Sequence, residues 1–244
     1  MLFRSEACGV QASDRRLRIQ NVVWLRPIAC GDEGITVHIG LTPEEDGGIA
    51  FRIWSGADAP DGDAVVHSQG LATLDAPEDL PTLDLRTLRS QCARAHVDAH
   101  HHFEAMKARG ADLGRGFRGI DTYHLGEDGA GQPQVLAHIT IPEGLSDAPD
   151  RFVLHPTPMD AAVHTAPPLM PGWEEAERIR LALPFALDEL EVLGSCQEEM
   201  WALARPTPGA SGRSGTTKYD IDLCDDAGLI CVRFKGFAFR TVDK

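Results

Sequence analysis

Two side chains able to move protons stand four residues apart in HPTPMDAAVH, residues 155–164: Asp160 brings a carboxyl group and His164 an imidazole. An apolar, strand-like run at 152–154 leads into His155-Pro156, and helical character follows. Pro156 and Pro158 disfavour helix before Met159. Asp160 is therefore expected in a first turn, where a helix N-terminus favours negative charge. His164 then falls one turn further along the same face. Such a pair can serve one pocket as acid and base. A capping carboxylate or a solvated i, i+4 pair gives the same spacing, so spacing alone leaves both readings open.

The chain that must position this pair has 244 residues, enough for one large domain or two halves. With 43% hydrophobic and 25% charged residues it can bury a core. Its 24 glycines and 16 prolines supply the many turns of a strand-rich fold. The net charge of −14 argues against nucleic acid and against an anionic membrane surface as partners. No apolar run approaches the roughly 18 residues of a membrane span. The first residues lack the pattern of a signal peptide, so a soluble, cytoplasmic protein is expected. Six cysteines (8, 30, 92, 196, 224, 231) are scattered without a CxxC and read as reduced thiols.

Alternating segments predict strands at 17–25, 35–39, 49–54 and 65–72, an antiparallel meander broken by Gly, Asp and Pro. Residues 75–97 read as loop. A helix is expected over 100–109, ending at Gly110. Strands follow at 117–125 and 134–141, then a helix from about 159. Further strands are expected at 178–183, 187–193, 199–204, 218–224 and 229–240. The sequence DDAG at 225–228 reads as a hairpin turn, and the loop 206–215 as mobile. Each half thus holds a strand set: an N-terminal half with its linker over 1–97 and a C-terminal half over 98–244. The first half lacks a clear central helix, with only 2–9 as a candidate tail.

Several of these segments together resemble the dehydratase domains of modular polyketide synthases. HPTPMDAAVH is similar to that family's HPxxxDxxxQ motif, with His164 in place of Gln. GADLGRGF at 110–117 is similar to GxxYGPxF, with Leu113 for Tyr and Arg115 for Pro. Leu183-Pro184-Phe185, and Tyr219 to Leu223 with Gly236, Phe237 and Arg240, resemble later segments of the family. The resemblance implies an α+β double hotdog, two antiparallel sheets each wrapping a helix, with the first hotdog short at its N-terminus. It implies loss of water from a β-hydroxyacyl chain carried on the phosphopantetheine arm of an acyl carrier protein. No metal or organic cofactor is implied. A neighbouring ketosynthase is the expected second partner, and a homodimer is an open alternative.

By resemblance, Asp160 is the acid that protonates the departing hydroxyl, and His164 takes the place of an orienting amide. Leu113, Phe117, His155 and Pro156 are the expected pocket walls. The chemistry suits these groups: hydroxide leaves poorly, so a carboxyl whose pKa is raised by desolvation must deliver a proton. An imidazole is a suitable base for the α-proton. The family's base heads an HxxxGxxxxP motif, yet none of the ten histidines here has glycine four residues later. Two explanations are open: the stretch that would carry the motif precedes this sequence, or the member is divergent, working beside a ketosynthase in branching, cyclisation or isomerisation, or as a non-catalytic scaffold. His38 and His67 are the first-half candidates for a replacement base.

His100, His101 and His102 invite a metal reading, but adjacent helical positions point in different directions and cannot share one ion. A solvated helix start is the expectation. Asp220 and Asp222 alternate with Ile221 and Leu223 and are expected to face water. A basic patch for a carrier protein is hinted at by Arg115, Arg118, Arg178 and Arg180.

Overall fold

Period-two alternation of apolar and polar residues makes most of this chain into strands. The computed structural model describes residues 16–56, 64–76, 79–108, 110–143, 152, 154–173, 182–209 and 216–241. The first strands are β1 (Arg16–Trp24), β2 (Val37–Pro43), β3 (Ile49–Ser55) and β4 (Val65–Asp75). Next come α1 (Leu85–Gln91), β5 (Ala95–Asp98), α2 (Ala99–Lys107), β6 (Ile120–Glu127), β7 (Pro133–Thr140) and α3 (Pro156–His164). The chain closes with β8 (Ala182–Val192), β9 (Glu199–Pro206), β10 (Thr216–Cys224) and β11 (Ile230–Thr241). The candidate helix tail at 2–9, the strand residues 178–181, Arg178 and Arg180, and 210–215 of the mobile loop lie outside the described residues.

The eleven strands of the described residues join one antiparallel ladder, ordered β2-β3-β4-β1-β8-β11-β10-β9-β7-β6-β5. The two strand sets meet where β1 pairs with β8, from Leu17 opposite Val192 to Val23 opposite Ala186. Asn21 sits in the β1 bulge with φ 52, a left-handed conformation that Asn tolerates better than most residues. Directly opposed residues share a sheet face. One row therefore runs Ile19, Leu190, Phe234, Ile221, Ala204, Val135, Leu125 across both sets. This face carries the main core, with α3 packed on β7, β9 and β10 and α2 on β5 and β6. Ala161 and Ala162 are essentially buried. Their short side chains let α3 approach the strands closely. On the face of β2 continuous with that row, Val37, Ile39 and Leu41 are 39–47% exposed.

Several features depart from the sequence expectation. Where described, the strands expected at 178–183 and 187–193 are one strand, β8. Within 75–97, read as loop, stand α1 and β5. Asp84 caps α1 by accepting from the backbone N–H groups of Arg86 and Thr87. The helix lays Leu85 on the opposite face of the sheet, with Leu136, Trp201 and Leu203. It comes so close that a Cβ on Gly126 would stand 1.9 Å from the Gln91 carbonyl oxygen, so only glycine fits there. Its single buried apolar residue, Leu85, gave the sequence no periodicity to read.

Asp222 is a further departure. It is 2% exposed, not solvated, because the sheet is wide enough for long side chains to lie over it. Arg205 and Arg233 both donate to its carboxylate, at 2.5 and 2.6 Å. Lys235 and Arg18 extend the same charged row through Glu189 and Glu191. Among the described residues no helix is long and apolar enough to cross a membrane.

Candidate active site

Helix α3 begins earlier than its prolines suggest. His155 is the N-cap, its Nδ1 accepting from the Thr157 N–H at 3.2 Å. Pro156 and Pro158 then occupy the first turn. That is the one place a helix accepts them, since N–H groups there have no intrahelical acceptor to lose. The consequence for Asp160 is chemical. It lies in the second turn and not the first, and the helix macrodipole fades beyond the first turn. Its acidity is left to burial and to its neighbours.

Those neighbours are few. His164 Nε2 lies 3.5 Å from Asp160 Oδ2 without hydrogen-bond geometry, and the Oδ2 atom is buried without a hydrogen-bond partner. Burial raises the Asp160 carboxyl above its ordinary range, against an opposing pull from His164. Burial lowers the His164 imidazole, against an opposing push from Asp160. Both shifts favour the uncharged forms. The Asp160 side chain is nonetheless 34% exposed, so the carboxyl has one dry oxygen and a surface from which to work. A carboxylic acid that keeps its proton at higher pH than usual can act as a general acid.

The N-terminus of α3 is fixed to the segment 110–119. Thr157 Oγ1 donates to the Gly116 carbonyl at 2.6 Å, and a Cβ on Gly119 would come within 2.9 Å of the Thr157 methyl group. This contact brings the 110–117 motif beside the helix that carries Asp160. Leu113 is half-buried against the core, while Phe117 is 45% exposed. The Arg118 guanidinium donates to the Leu113 carbonyl at 2.8 Å and to Asp112 at 3.1 Å, bracing that turn. Of the expected walls, His155 is buried as the cap described and Pro156 is exposed. Arg115, from the expected basic patch, is exposed.

Behind His164 stands His102, a residue the sequence placed in solvent. Three histidines in a row suggested a wet helix start, and His100 and His101 are exposed. His102 is 2% exposed. The signal was available: Ala99, His102, Phe103 and Met106 follow helical spacing on one side of α2, which is its apolar stripe. The Trp173 indole N–H donates to His102 Nδ1 at 3.2 Å. The His102 and His164 rings meet edge-on at 5.8 Å between centroids. Burial, followed by the nearby His164 and His101, lowers the His102 pKa to about 3.

Other histidines are committed elsewhere. His67 uses both ring nitrogens, one with Ser55 Oγ at 2.7 Å and one with the Arg26 carbonyl at 3.2 Å. That is the bonding of a buried structural residue. His38 stacks on Trp54 at 5.5 Å. A cavity of about 440 Å³ opens at the β5 edge, lined by His96, Asp98, His100, Phe103, Arg118 and Asp121 among others. Phe103 lines it and also lies 6.5 Å from the His164 ring. No group of His, Cys, Asp or Glu among the described residues is arranged to hold a metal ion.

Comparison with known proteins places this geometry among its relatives. A family profile described as "Polyketide synthase dehydratase N-terminal domain" matches residues 80–244. Polyketide synthase PksN of Bacillus subtilis (strain 168) is 34% identical over 98% of this chain. PksM of the same organism is 33% identical over 97% of it. The chain spans only 4% and 6% of the lengths of those two proteins. Among solved structures, a trans-AT PKS dehydratase domain from Brevibacillus brevis superimposes with a TM-score of 0.86 at 35% identity. That match covers 98% of this chain and 80% of the other. The dehydratase domain from the CurF module of curacin polyketide synthase has a TM-score of 0.82 at 20% identity, a likeness of fold.

Proposed function

The chain belongs to the polyketide synthase dehydratase family, with its double-hotdog fold, and on that premise we propose that it removes water from a β-hydroxyacyl chain. The chain is held as a thioester on the phosphopantetheine arm of an acyl carrier protein. In the elimination a base takes the α-proton, and the electrons of that C–H bond form the new double bond. The C–O bond breaks, and the hydroxyl leaves as water with the proton of Asp160. His164 lies on the other side of the carboxyl and keeps that acid oriented. Acid and base suffice, so no cofactor is assigned. We place the first half over 1–97 and the second, acid-bearing half over 98–244. Leu113, Phe117, His155 and Pro156 are assigned to the pocket wall, an adjoining ketosynthase is the neighbouring partner, and the compartment is the cytoplasm.

One observation supports this reading above the others: the Asp160 carboxyl is raised by burial beside a largely buried imidazole, on the helix that matches the family's motif. A scaffold has no use for a carboxyl group with one oxygen buried and without a hydrogen-bond partner, since burying a polar group costs stability unless it is paired. Incubation with a 3-hydroxyacyl carrier protein, followed by intact-protein mass spectrometry, tests the activity. The acyl carrier should lose the mass of one water with the native protein and keep it with Asp160→Asn. Substrate that binds the native protein and keeps its full mass would overturn the proposal.

A further inference from the structure

A neutral imidazole carries one N–H, and which nitrogen holds it decides what the ring can offer a neighbour. Indole N–H is a donor only. Because Trp173 donates to His102 Nδ1, that nitrogen must present its lone pair, and the His102 proton sits on Nε2. Nε2 is buried and has no protein partner. The adjoining ring has a matching deficit: His164 Nδ1 is also buried without a partner. The two rings lie 5.8 Å apart at 62°. A buried donor and a buried acceptor left unmade each cost about 1–3 kcal/mol. Serving one another, directly or through one water, removes both costs.

We propose that His102 is a positioning residue for the acid: its Nε2–H serves the lone pair of His164 Nδ1 and so holds the His164 proton on Nε2, toward Asp160. This rests on the reading of Asp160 as the proton donor. In this relay donors run from Trp173 through His102 and His164 to Asp160 Oδ2, all in one direction; the Trp173 bond is made in the structure, and His164 Nε2 stands 3.5 Å from Oδ2. With a donor facing the buried Oδ2, that oxygen is an acceptor and the carboxyl proton resides on Oδ1. In the opposite tautomer, His164 Nε2 would be a lone pair and would draw the acid proton onto Oδ2, into the protein and away from the departing hydroxyl. The tautomer therefore decides which way the acid points. Burial keeps both rings toward the neutral form that such a relay requires.

Long-range ¹H–¹⁵N correlation spectra of histidine-labelled protein report the tautomer of each ring. His102 and His164 should both appear as Nε2–H in the unaltered protein, and His164 as Nδ1–H would overturn the proposal with no substitution needed. In His102→Phe and in Trp173→Phe, His164 should become a mixture of tautomers. Turnover of the 3-hydroxyacyl carrier protein should then fall about ten- to hundredfold in kcat with KM little changed. His102→Gln, which restores a donor, should recover part of that loss. An unchanged His164 tautomer in both Phe variants would overturn the assignment. Native protein with His164 as Nε2–H but no dehydrated product would sink the elimination reading and leave the tautomer relay standing.

Discussion

The hydroxyl of Tyr123, a fully buried β6 residue, donates to the backbone carbonyl of His164 at 3.2 Å. That carbonyl belongs to the last turn of α3, where helix carbonyls lack intrahelical donors. One strand side chain thus ties down the helix end that carries the imidazole of the site. Tyr123→Phe keeps the ring packing and removes only this bond. It should cost about 1 kcal/mol of unfolding free energy, measured by denaturant titration. An unchanged midpoint would show that the tie contributes nothing.

The pH dependence of Asp160 has a definite sign. Its pKa is raised in the folded state by burial. Folding therefore favours the protonated form, and this contribution to stability is lost as pH rises through the folded value. Dehydration should fall over the same rise, since the acid form is consumed. Asp160→Asn should abolish turnover yet be at least as stable as the native protein at neutral pH. A melting curve that drops sharply in this variant would contradict the account.

His102 behaves in the opposite sense. Its pKa falls from 6.5 to about 3 on folding, so the unfolded chain binds more protons across that window. Stability held above pH 6.5 is lost as pH falls toward 3, by about 1.4 kcal/mol per unit from this one group. Comparing native protein with His102→Phe at successive acid pH values isolates the effect. The native slope should be the steeper of the two, and parallel slopes would refute it.

Asp222 holds two guanidinium groups against the sheet. Asp222→Ala leaves Arg205 and Arg233 without their shared acceptor, and both are partly solvated. The loss should be about 2 kcal/mol, below the roughly 3–5 kcal/mol of a fully buried pair because water screens the exposed arginines. Salt should weaken the effect only slightly. Chemical denaturation of native and variant protein at low and high salt checks both statements.

Strands were the legible part of this chain because burial on one face leaves alternation in the sequence, as in Phe51-Arg52-Ile53. Helix α1 was illegible because seven residues with one buried anchor carry no periodic signal. The start of α3 was misplaced for a different reason: two prolines read as helix breakers when they occupy the turn that tolerates them. Asp160 and His164 were found as a pair, since i, i+4 spacing survives an error in where the helix begins. His102 was hidden by its company. Three consecutive histidines look hydrated; the helical spacing of Ala99, His102 and Phe103 marks the third as buried, and the indole of a residue 71 positions away satisfies its ring.

Strand β1 is shared property, hydrogen-bonded on one side to β4 and on the other to β8. Neither strand set can peel away without rupturing that common seam and baring Ile19 and Leu190. Heating should consequently melt both sets together, in a single calorimetric peak.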